Sequence, residues 1–159
     1  MSDHKETLKT MLIDSHARLN AVLDAVGDRW ETPIYADGLQ WNARQIVIHL
    51  ADAERGHYNQ ITNIAEGNDI IPPDFDIERY NRRTTEKNAE KTVAQARAEI
   101  AQSRAALLAW LEAVDAEKLD RTGRHASLNI MSVAQILKLV ATHERGHAQD
   151  IAAALNITL

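Results

Sequence analysis

The chain has 159 residues, a net charge of −5 and no cysteine. This length suits a single domain over residues 1–159, and the absence of cysteine excludes disulfides and thiolate metal ligands. Acidic and basic residues are interspersed, so we expect no nucleic-acid partner. No apolar run nears the roughly 20 residues of a membrane span, so we expect no membrane partner. The N-terminus has no signal-peptide core, and we therefore expect a cytoplasmic protein.

Apolar residues recur at steps of three and four along four segments, which predicts four long amphipathic helices. Gly27 is expected to end the first helix. Each of the other three begins at a capping box, in which a polar side chain and a glutamine three residues later satisfy each other's backbone. The predicted helices cover about residues 3–26, 42–66, 92–114 and 132–156.

The connections between these helices differ in length. Residues 68–90 form a long crossover that is extended at Pro72-Pro73, and the charged segment 77–87 is predicted to hold a short helix. Residues 115–131 form a polar loop, interpreted as a small hairpin with its tip at residues 120–124. Four long helices with one long crossover predict an all-α four-helix bundle.

Two histidines lie on the apolar face of the last predicted helix. His143 and His147 are four residues apart, so their side chains stack one turn above the other. His49 lies on the apolar face of the second predicted helix. A single buried histidine is ordinarily a hydrogen-bonded core residue, because an unpaired polar ring is costly there. We interpret the three histidines together as a metal site.

Several neighbouring side chains are candidates for the surroundings of this site. Asp52, Glu54 and Asp150 are carboxylates that can orient the histidine rings. Arg145 is a candidate to line a pocket and hold an anionic substrate. His57 lies on the same face as His49, about two turns along the helix. It is interpreted as a fourth ligand, a proton shuttle or a buried histidine with a backbone partner, the last of these being favoured.

The segment His143-Glu144-Arg145-Gly146-His147 also fits the zinc-protease pattern H-E-x-x-H. In that design the glutamate acts as a general base on water at the metal. Glu144, however, lies about 100° around the helix from His143. We therefore expect Glu144 to flank the bundle, and a peptidase is not favoured.

The second and fourth predicted helices resemble each other at an offset of 90 residues. Glu54-Arg55-Gly56-His57 recurs as Glu144-Arg145-Gly146-His147. This repeat suggests a pseudo-twofold pair of helices, and chance similarity between two amphipathic helices is the alternative. His49 and His143 have no histidine counterpart in the other helix, so the two helices provide one asymmetric site.

Three segments, in this order, resemble the DinB-like superfamily, which includes the YfiT-type proteins. They are Ile48-His49-Leu50-Ala51-Asp52-Ala53-Glu54, Asp74-Phe75-Asp76-Ile77-Glu78-Arg79-Tyr80-Asn81 and His143-Glu144-Arg145-Gly146-His147-Ala148-Gln149-Asp150-Ile151. The resemblance spans nearly the whole chain and implies a four-helix bundle. It also implies a zinc or nickel ion bound by three histidines, which correspond by position to His49, His143 and His147. Some members are similar to S-transferases and isomerases that use bacillithiol, mycothiol or glutathione.

Two functions of different classes follow from three histidine ligands. A metal with an open position is typical of catalytic sites, where it activates water for hydrolysis or a thiol for transfer. Because the chain has no cysteine, the thiol would be a cosubstrate. The alternative is a non-catalytic metal-binding or structural bundle. An open cavity would favour the enzyme, whereas a sealed site or a fourth protein ligand would favour the alternative.

Three further expectations concern the remaining surfaces. His4 and His16 lie off the apolar stripe of the first helix and are expected to be solvated. The apolar stripe of the third helix, from Val93 through Ser103 to Val114, is expected to carry no chemistry. Leftover apolar helix faces are expected to pair two chains as a homodimer.

Overall fold

The computed structural model describes residues 3–159, which form five α-helices and one small hairpin. The helices are α1 (Asp3–Asp24), α2 (Ala43–Ala65), α3 (Ile77–Lys87), α4 (Val93–Ala113) and α5 (Val133–Ala154). A short 3-10 helix, Ala116–Asp120, precedes the strands β1 (Thr122–Arg124) and β2 (Ile130–Ser132). None of the helices among these residues combines the length and hydropathy of a membrane span.

The capping boxes begin three of the long helices, as predicted. Asn42, Thr92 and Ser132 each adopt an extended backbone conformation and accept a hydrogen bond from the backbone N–H three residues later. The glutamine at that third position bonds back to the backbone of the capping residue in each case. These bonds satisfy N–H groups that have no partner within the helix.

The four long helices form the bundle that their apolar periodicity predicted. The most extensive contacts are those of α1 with α5 and of α2 with α4. Contacts of α2 with α5 and of α1 with α4 close the bundle. The short helix α3 spans the predicted residues and packs on α2.

The hairpin differs from its prediction in one respect. Residues 122–124, expected at its tip, instead form β1, which pairs with β2. Gly123 is required here because a Cβ at this position would lie 2.6 Å from Ile64 Cγ1 on α2. The close approach of β1 to α2 brings the following residue, His125, beside α2.

The apolar core consists of two clusters, one towards each end of the bundle. The first cluster includes Leu19, Ile46, Ile100 and Ile151, and the second includes residues of the same four helices. These are Leu12, Ile61, Leu107 and Val140. A layer of buried polar side chains separates the clusters at mid-height; we call it the polar layer, and it consists of Ser15, Glu54, Arg104 and Glu144.

Arg104 of α4 is the centre of the polar layer, with 2% of its surface exposed. Its Nη2 donates to Glu54 Oε1 over 2.6 Å, and its Nη1 donates to Glu144 Oε1 over 3.0 Å. Nη1 also donates to the carbonyl of Leu12 over 2.6 Å. Ser15 Oγ donates to Glu144 Oε1 over 2.9 Å. One guanidinium therefore joins all four long helices.

The polar layer overturns three expectations. The face of α4 predicted to carry no chemistry holds Arg104, which is buried where Ser103 was expected. Glu144 does not flank the bundle, because it is fully buried against Arg104. His16 is half-buried rather than solvated, with Nδ1 3.4 Å from Glu144 Oε2. Periodicity alone missed these residues because it assigns charged side chains to the exposed face, whereas here each charged side chain is buried against a partner on another helix.

The two carboxyls beside Arg104 differ in their pKa values. Burial raises the pKa of Glu54, and the charge of Arg104 offsets this only in part. Burial also raises the pKa of Glu144, but hydrogen bonds from His16 and Ser15 and the charge of Arg104 outweigh it and hold the pKa below its usual value. The polar layer therefore favours the ionised form of Glu144 more than that of Glu54.

Replacing Arg104 by methionine is expected to lower the free energy of unfolding by about 3–5 kcal/mol, because Glu54 and Glu144 would remain buried without their counter-charge. Burial then raises the pKa of Glu54 further, so the native state binds protons more readily than the unfolded chain. The loss should therefore be larger at about pH 8 than at about pH 5. Urea denaturation at both pH values measures this change.

The matched control is Arg18→Met on the exposed face of α1, which should change the free energy of unfolding by less than about 0.5 kcal/mol. A loss for Arg104→Met as small as that of the control would contradict the central role of the polar layer.

Candidate metal centre

His49 of α2 and His143 and His147 of α5 converge beside the polar layer. His49 Nε2 lies 3.3 Å from His143 Nε2, and His147 Nε2 lies 3.2 Å from His143 Nε2. One ligand atom from each of the three rings lies within 4.8 Å of the others. The helical spacing of His143 and His147 and the packing of α2 on α5 bring these atoms together.

A tyrosine from the α1–α2 connection determines which ring nitrogen of His147 carries the proton. Tyr35 Oη donates to Asp150 Oδ2 over 2.6 Å and lies 2.8 Å from His147 Nδ1. Since the hydroxyl proton of Tyr35 goes to Asp150, the hydroxyl oxygen accepts the Nδ1 proton of His147. Nε2 of His147 is then unprotonated and faces the other two rings. A partner on one ring nitrogen that fixes the other is typical of metal-binding histidines.

The surroundings favour the neutral form of all three rings. Burial, reinforced by the neighbouring histidines, lowers the pKa of His49 to about 2. Burial, followed by the charge of His147, lowers the pKa of His143 to about 4. Burial also lowers the pKa of His147, and Asp150 offsets this in part. At neutral pH the three imidazoles therefore offer lone pairs and no charge.

This donor set fits a divalent metal ion. Two nitrogens that bind one ion tetrahedrally at about 2.0–2.1 Å lie about 3.3–3.4 Å apart. The Nε2 atoms of His147 and His49 lie 3.2 and 3.3 Å from His143 Nε2. A single ring proton on His143 Nε2 can satisfy only one of its two neighbours, whereas a cation accepts all three lone pairs. Imidazole ligands suit zinc and nickel among other borderline metals.

His57 lies outside this group of three and pairs with His125 of the hairpin. Their Nε2 atoms are 2.9 Å apart and their rings are stacked. Ser127 N–H donates to His125 Nδ1 over 3.0 Å, so Nε2 of His125 carries the proton and donates to His57. His57 in turn makes a backbone hydrogen bond with Ala53. The interpretation of His57 as a buried histidine with a backbone partner is therefore consistent with its contacts.

A cavity of about 760 Å³ opens beside the three histidines. Asp52, predicted near the site, lies on its wall, where Asp52 Oδ1 accepts hydrogen bonds from Arg55 over 2.6 Å and from Tyr80 over 3.4 Å. Arg145 is exposed on α5 and is not among the residues that line the cavity. Small-molecule sites ordinarily have volumes of about 300–1,000 Å³, so a substrate-sized ligand fits beside the histidines.

Sequence reasoning missed two residues of this region. Tyr35 lies in an irregular connection, where no periodicity indicates which way a side chain points. His125 reaches the cavity because β1 crosses α2 at Gly123, a contact between segments about 60 residues apart. The only local signal was the clustering of turn-forming residues around each of them.

Comparison with known proteins supports the fold and the family. The family model of the DinB superfamily matches residues 11–151. The chain belongs to the DinB superfamily. Among solved structures, YfiT from Bacillus subtilis aligns with a TM-score of 0.80 and 22% identity, over 97% of this chain and 87% of that protein. YfiT is described as a probable metal-dependent hydrolase with an unusual four-helix bundle topology. A search of curated protein sequences found no match.

The histidine cluster of this DinB-superfamily chain is predicted to bind about one equivalent of a divalent metal. Protein purified without an affinity tag should contain it by elemental analysis, and His143→Ala should lose it. His4→Ala, on the exposed start of α1, is the matched control and should retain the metal. Wild-type protein that neither contains a metal nor takes one up on titration with zinc or nickel would rule out the site.

Tyr35→Phe is predicted to weaken metal binding by about 10–100-fold, because the hydrogen bond that keeps the proton on His147 Nδ1 is lost. Competition with a chromophoric zinc chelator measures the affinity. Tyr58→Phe, half-buried on α2 against the second apolar cluster, is the control. Equal zinc affinities for Tyr35→Phe and wild-type protein would show that Tyr35 does not orient the ring.

Proposed function

We propose that this protein is a metal-dependent hydrolase that acts on a small molecule. The observation that carries the proposal is the position of the three converging imidazoles, which face a cavity of about 760 Å³ rather than a sealed core. The likeness to YfiT, described as a probable metal-dependent hydrolase, supports the same class of activity.

The residues of the chain have separate tasks in this proposal. His49, His143 and His147 would hold the ion, and zinc or nickel is proposed because all three donors are imidazoles. Tyr35 and Asp150 orient the His147 ring. When bound, such a metal supplies Lewis acidity, which polarises a carbonyl group and lowers the pKa of water to about 7. The apolar cavity wall lowers the local dielectric constant and so strengthens these electrostatic effects.

A metal-dependent thiol transferase is the second candidate. The volume of the cavity favours it, since about 760 Å³ lies in the upper part of the range for small-molecule sites and leaves room for a cosubstrate. The thiol must be such a cosubstrate because the chain has no cysteine. Bacillithiol, mycothiol and glutathione are the thiols that the family resemblance suggests.

Two observations weigh against a non-catalytic metal-binding bundle. The three histidines face an open cavity, and no fourth protein ligand completes their set among residues 3–159. His57, for which a role as fourth ligand was one of the alternatives, has its Nε2 paired with His125 instead. An incomplete ligand set beside a cavity is typical of catalytic rather than structural sites.

The proposal also includes three predictions that come from the sequence alone. These are a homodimer, a cytoplasmic location and the absence of a nucleic-acid partner. Light scattering on the eluting protein distinguishes a monomer of 17.8 kDa from the dimer.

Zinc- and nickel-loaded protein should hydrolyse p-nitrophenyl acyl esters, because the ester carbonyl can be polarised at the three-histidine site. Metal removal or His143→Ala should lower the rate of ester hydrolysis by more than about 100-fold. Loss of a residue that only orients a metal ligand costs about 10–100-fold. His4→Ala is the control and should retain the wild-type rate. Glutathione conjugation to a chloronitrobenzene, measured with the same preparations, tests the transferase. Metal-dependent conjugation without ester hydrolysis would favour the second candidate over the first.

A further inference from the structure

The cavity beside the histidines has an apolar wall and lacks cationic side chains. Among residues 3–159, no lysine or arginine contributes to its lining. We propose that the substrate has a neutral, apolar body and carries no anionic group away from the bond that is cleaved. This inference rests on the proposed hydrolase function and specifies its substrate class.

The wall offers flat and branched apolar surfaces around the histidines. Trp41, of which 8% is exposed, lies against His49 with ring centroids 4.7 Å apart. Phe75 and Tyr80 form a second aromatic pair, with centroids 5.4 Å apart, on the crossover side. Ile71 and Leu139 add aliphatic surface to the same lining. Burial of an apolar body against such a wall contributes about 25 cal/mol per Å².

The one charged side chain on the described part of the wall already has partners. Asp52 is 8% exposed and accepts hydrogen bonds from Arg55 and Tyr80. The carboxylate of Asp52 repels an anionic substrate, and the Arg55 guanidinium that compensates its charge lies outside the lining. An anionic group bound away from the three histidines would lose its hydration without gaining a cationic side chain as a partner, which is costly.

The arginines near the cavity are directed elsewhere. The side chain of Arg55 is 52% exposed and is held by Asp52. Arg124 donates to the carbonyl of Ile71 over 3.2 Å and lies 3.5 Å from Asp69. Arg145, predicted as an anion-binding residue, is exposed and outside the lining. None of the three is placed to receive a distal carboxylate or phosphate.

The reaction proposed for this site is the hydrolysis of a neutral ester. Hydrolysis of a neutral ester adds the oxygen of water to the carbonyl carbon and breaks the bond from that carbon to the alcohol oxygen. One proton goes to the alcohol, and the products are an alcohol, a carboxylate and a second proton that leaves to solvent. The new carboxylate forms at the cleaved bond, beside the three histidines, so it does not fall under the restriction on the body of the substrate. A thiol whose carboxylates lie away from the sulfur, such as glutathione, is disfavoured because those carboxylates meet no cationic side chain on the wall that residues 3–159 form.

A matched series of p-nitrophenyl esters tests this inference with the zinc-loaded protein. The acyl chains are hexanoyl, hexanoyl ending in a carboxylate and hexanoyl ending in an ammonium group. After correction for spontaneous hydrolysis, kcat/KM should be about tenfold or more higher for the neutral ester than for either charged ester. Equal values for the three esters, or a preference for a charged one, would overturn the inference.

Binding to the metal-free protein provides a second readout that does not depend on catalysis. Tryptophan fluorescence should report tighter binding of hexanamide than of its carboxylate-ended analogue, adipamic acid. Preference for the neutral amide without any ester hydrolysis would contradict the hydrolase but retain the substrate class. Hydrolysis of all three esters at equal rates would retain the hydrolase and contradict the substrate class.

Two lysine variants test whether the charge of the cavity wall sets the preference for neutral ligands. Ile70 lines the cavity with 45% of its surface exposed, so Ile70→Lys adds a cation at the wall without opening the core. Ile70→Lys should reduce severalfold the ratio between the affinities for the neutral and the carboxylate-ended ligand. Ile130→Lys, on β2 at 61% exposure and outside the lining, is the control and should leave the difference unchanged. An identical effect of both variants would show that the charge of the wall does not set the preference.

Discussion

The guanidinium of Arg104 is the interaction on which the structure depends. A buried charge is tolerated only when it is paired and hydrogen-bonded. Nη1 and Nη2 of Arg104 meet this condition with carboxylates from α2 and α5 and a carbonyl from α1. An apolar core tolerates small sliding between helices, whereas ion pairs of 2.6 and 3.0 Å do not. The polar layer therefore fixes the axial register of four helices.

That register determines where the histidines meet. Glu144 directly follows His143 on α5. Because the Glu144 carboxylate is held at Arg104, the ring of His143 is turned towards His49 of α2. Glu54 lies one turn before His57 on α2 and is held by the same guanidinium. The two glutamates are the counterparts in the repeat seen at an offset of 90 residues. The repeat thus corresponds to a shared structural task, while the unrepeated histidines form the site.

The sequence was sufficient for the fold and for the three histidines because both follow from local spacing. Capping boxes and apolar stripes placed the helices, and the spacing of His143 and His147 placed two rings on one face. Arg104 and Glu144 could not be assigned in this way, since their burial depends on each other across two helices. Tyr35 and His125 reach the site from connections, where side-chain direction is set by tertiary contacts. Sequence periodicity therefore predicts which face is buried, but not which polar groups are paired there.

The two parts of the candidate site have different origins in the fold. The histidines are on rigid helices whose register is fixed by the polar layer, so their separations are insensitive to the loops. Much of the cavity wall, by contrast, comes from the crossover and the connection before α2, including Tyr35, Ile71 and Phe75. Connections tolerate substitution and insertion better than packed helices do. The same three-histidine centre can consequently serve different substrates in this architecture, because changes in the wall alter shape and charge without moving the donor atoms.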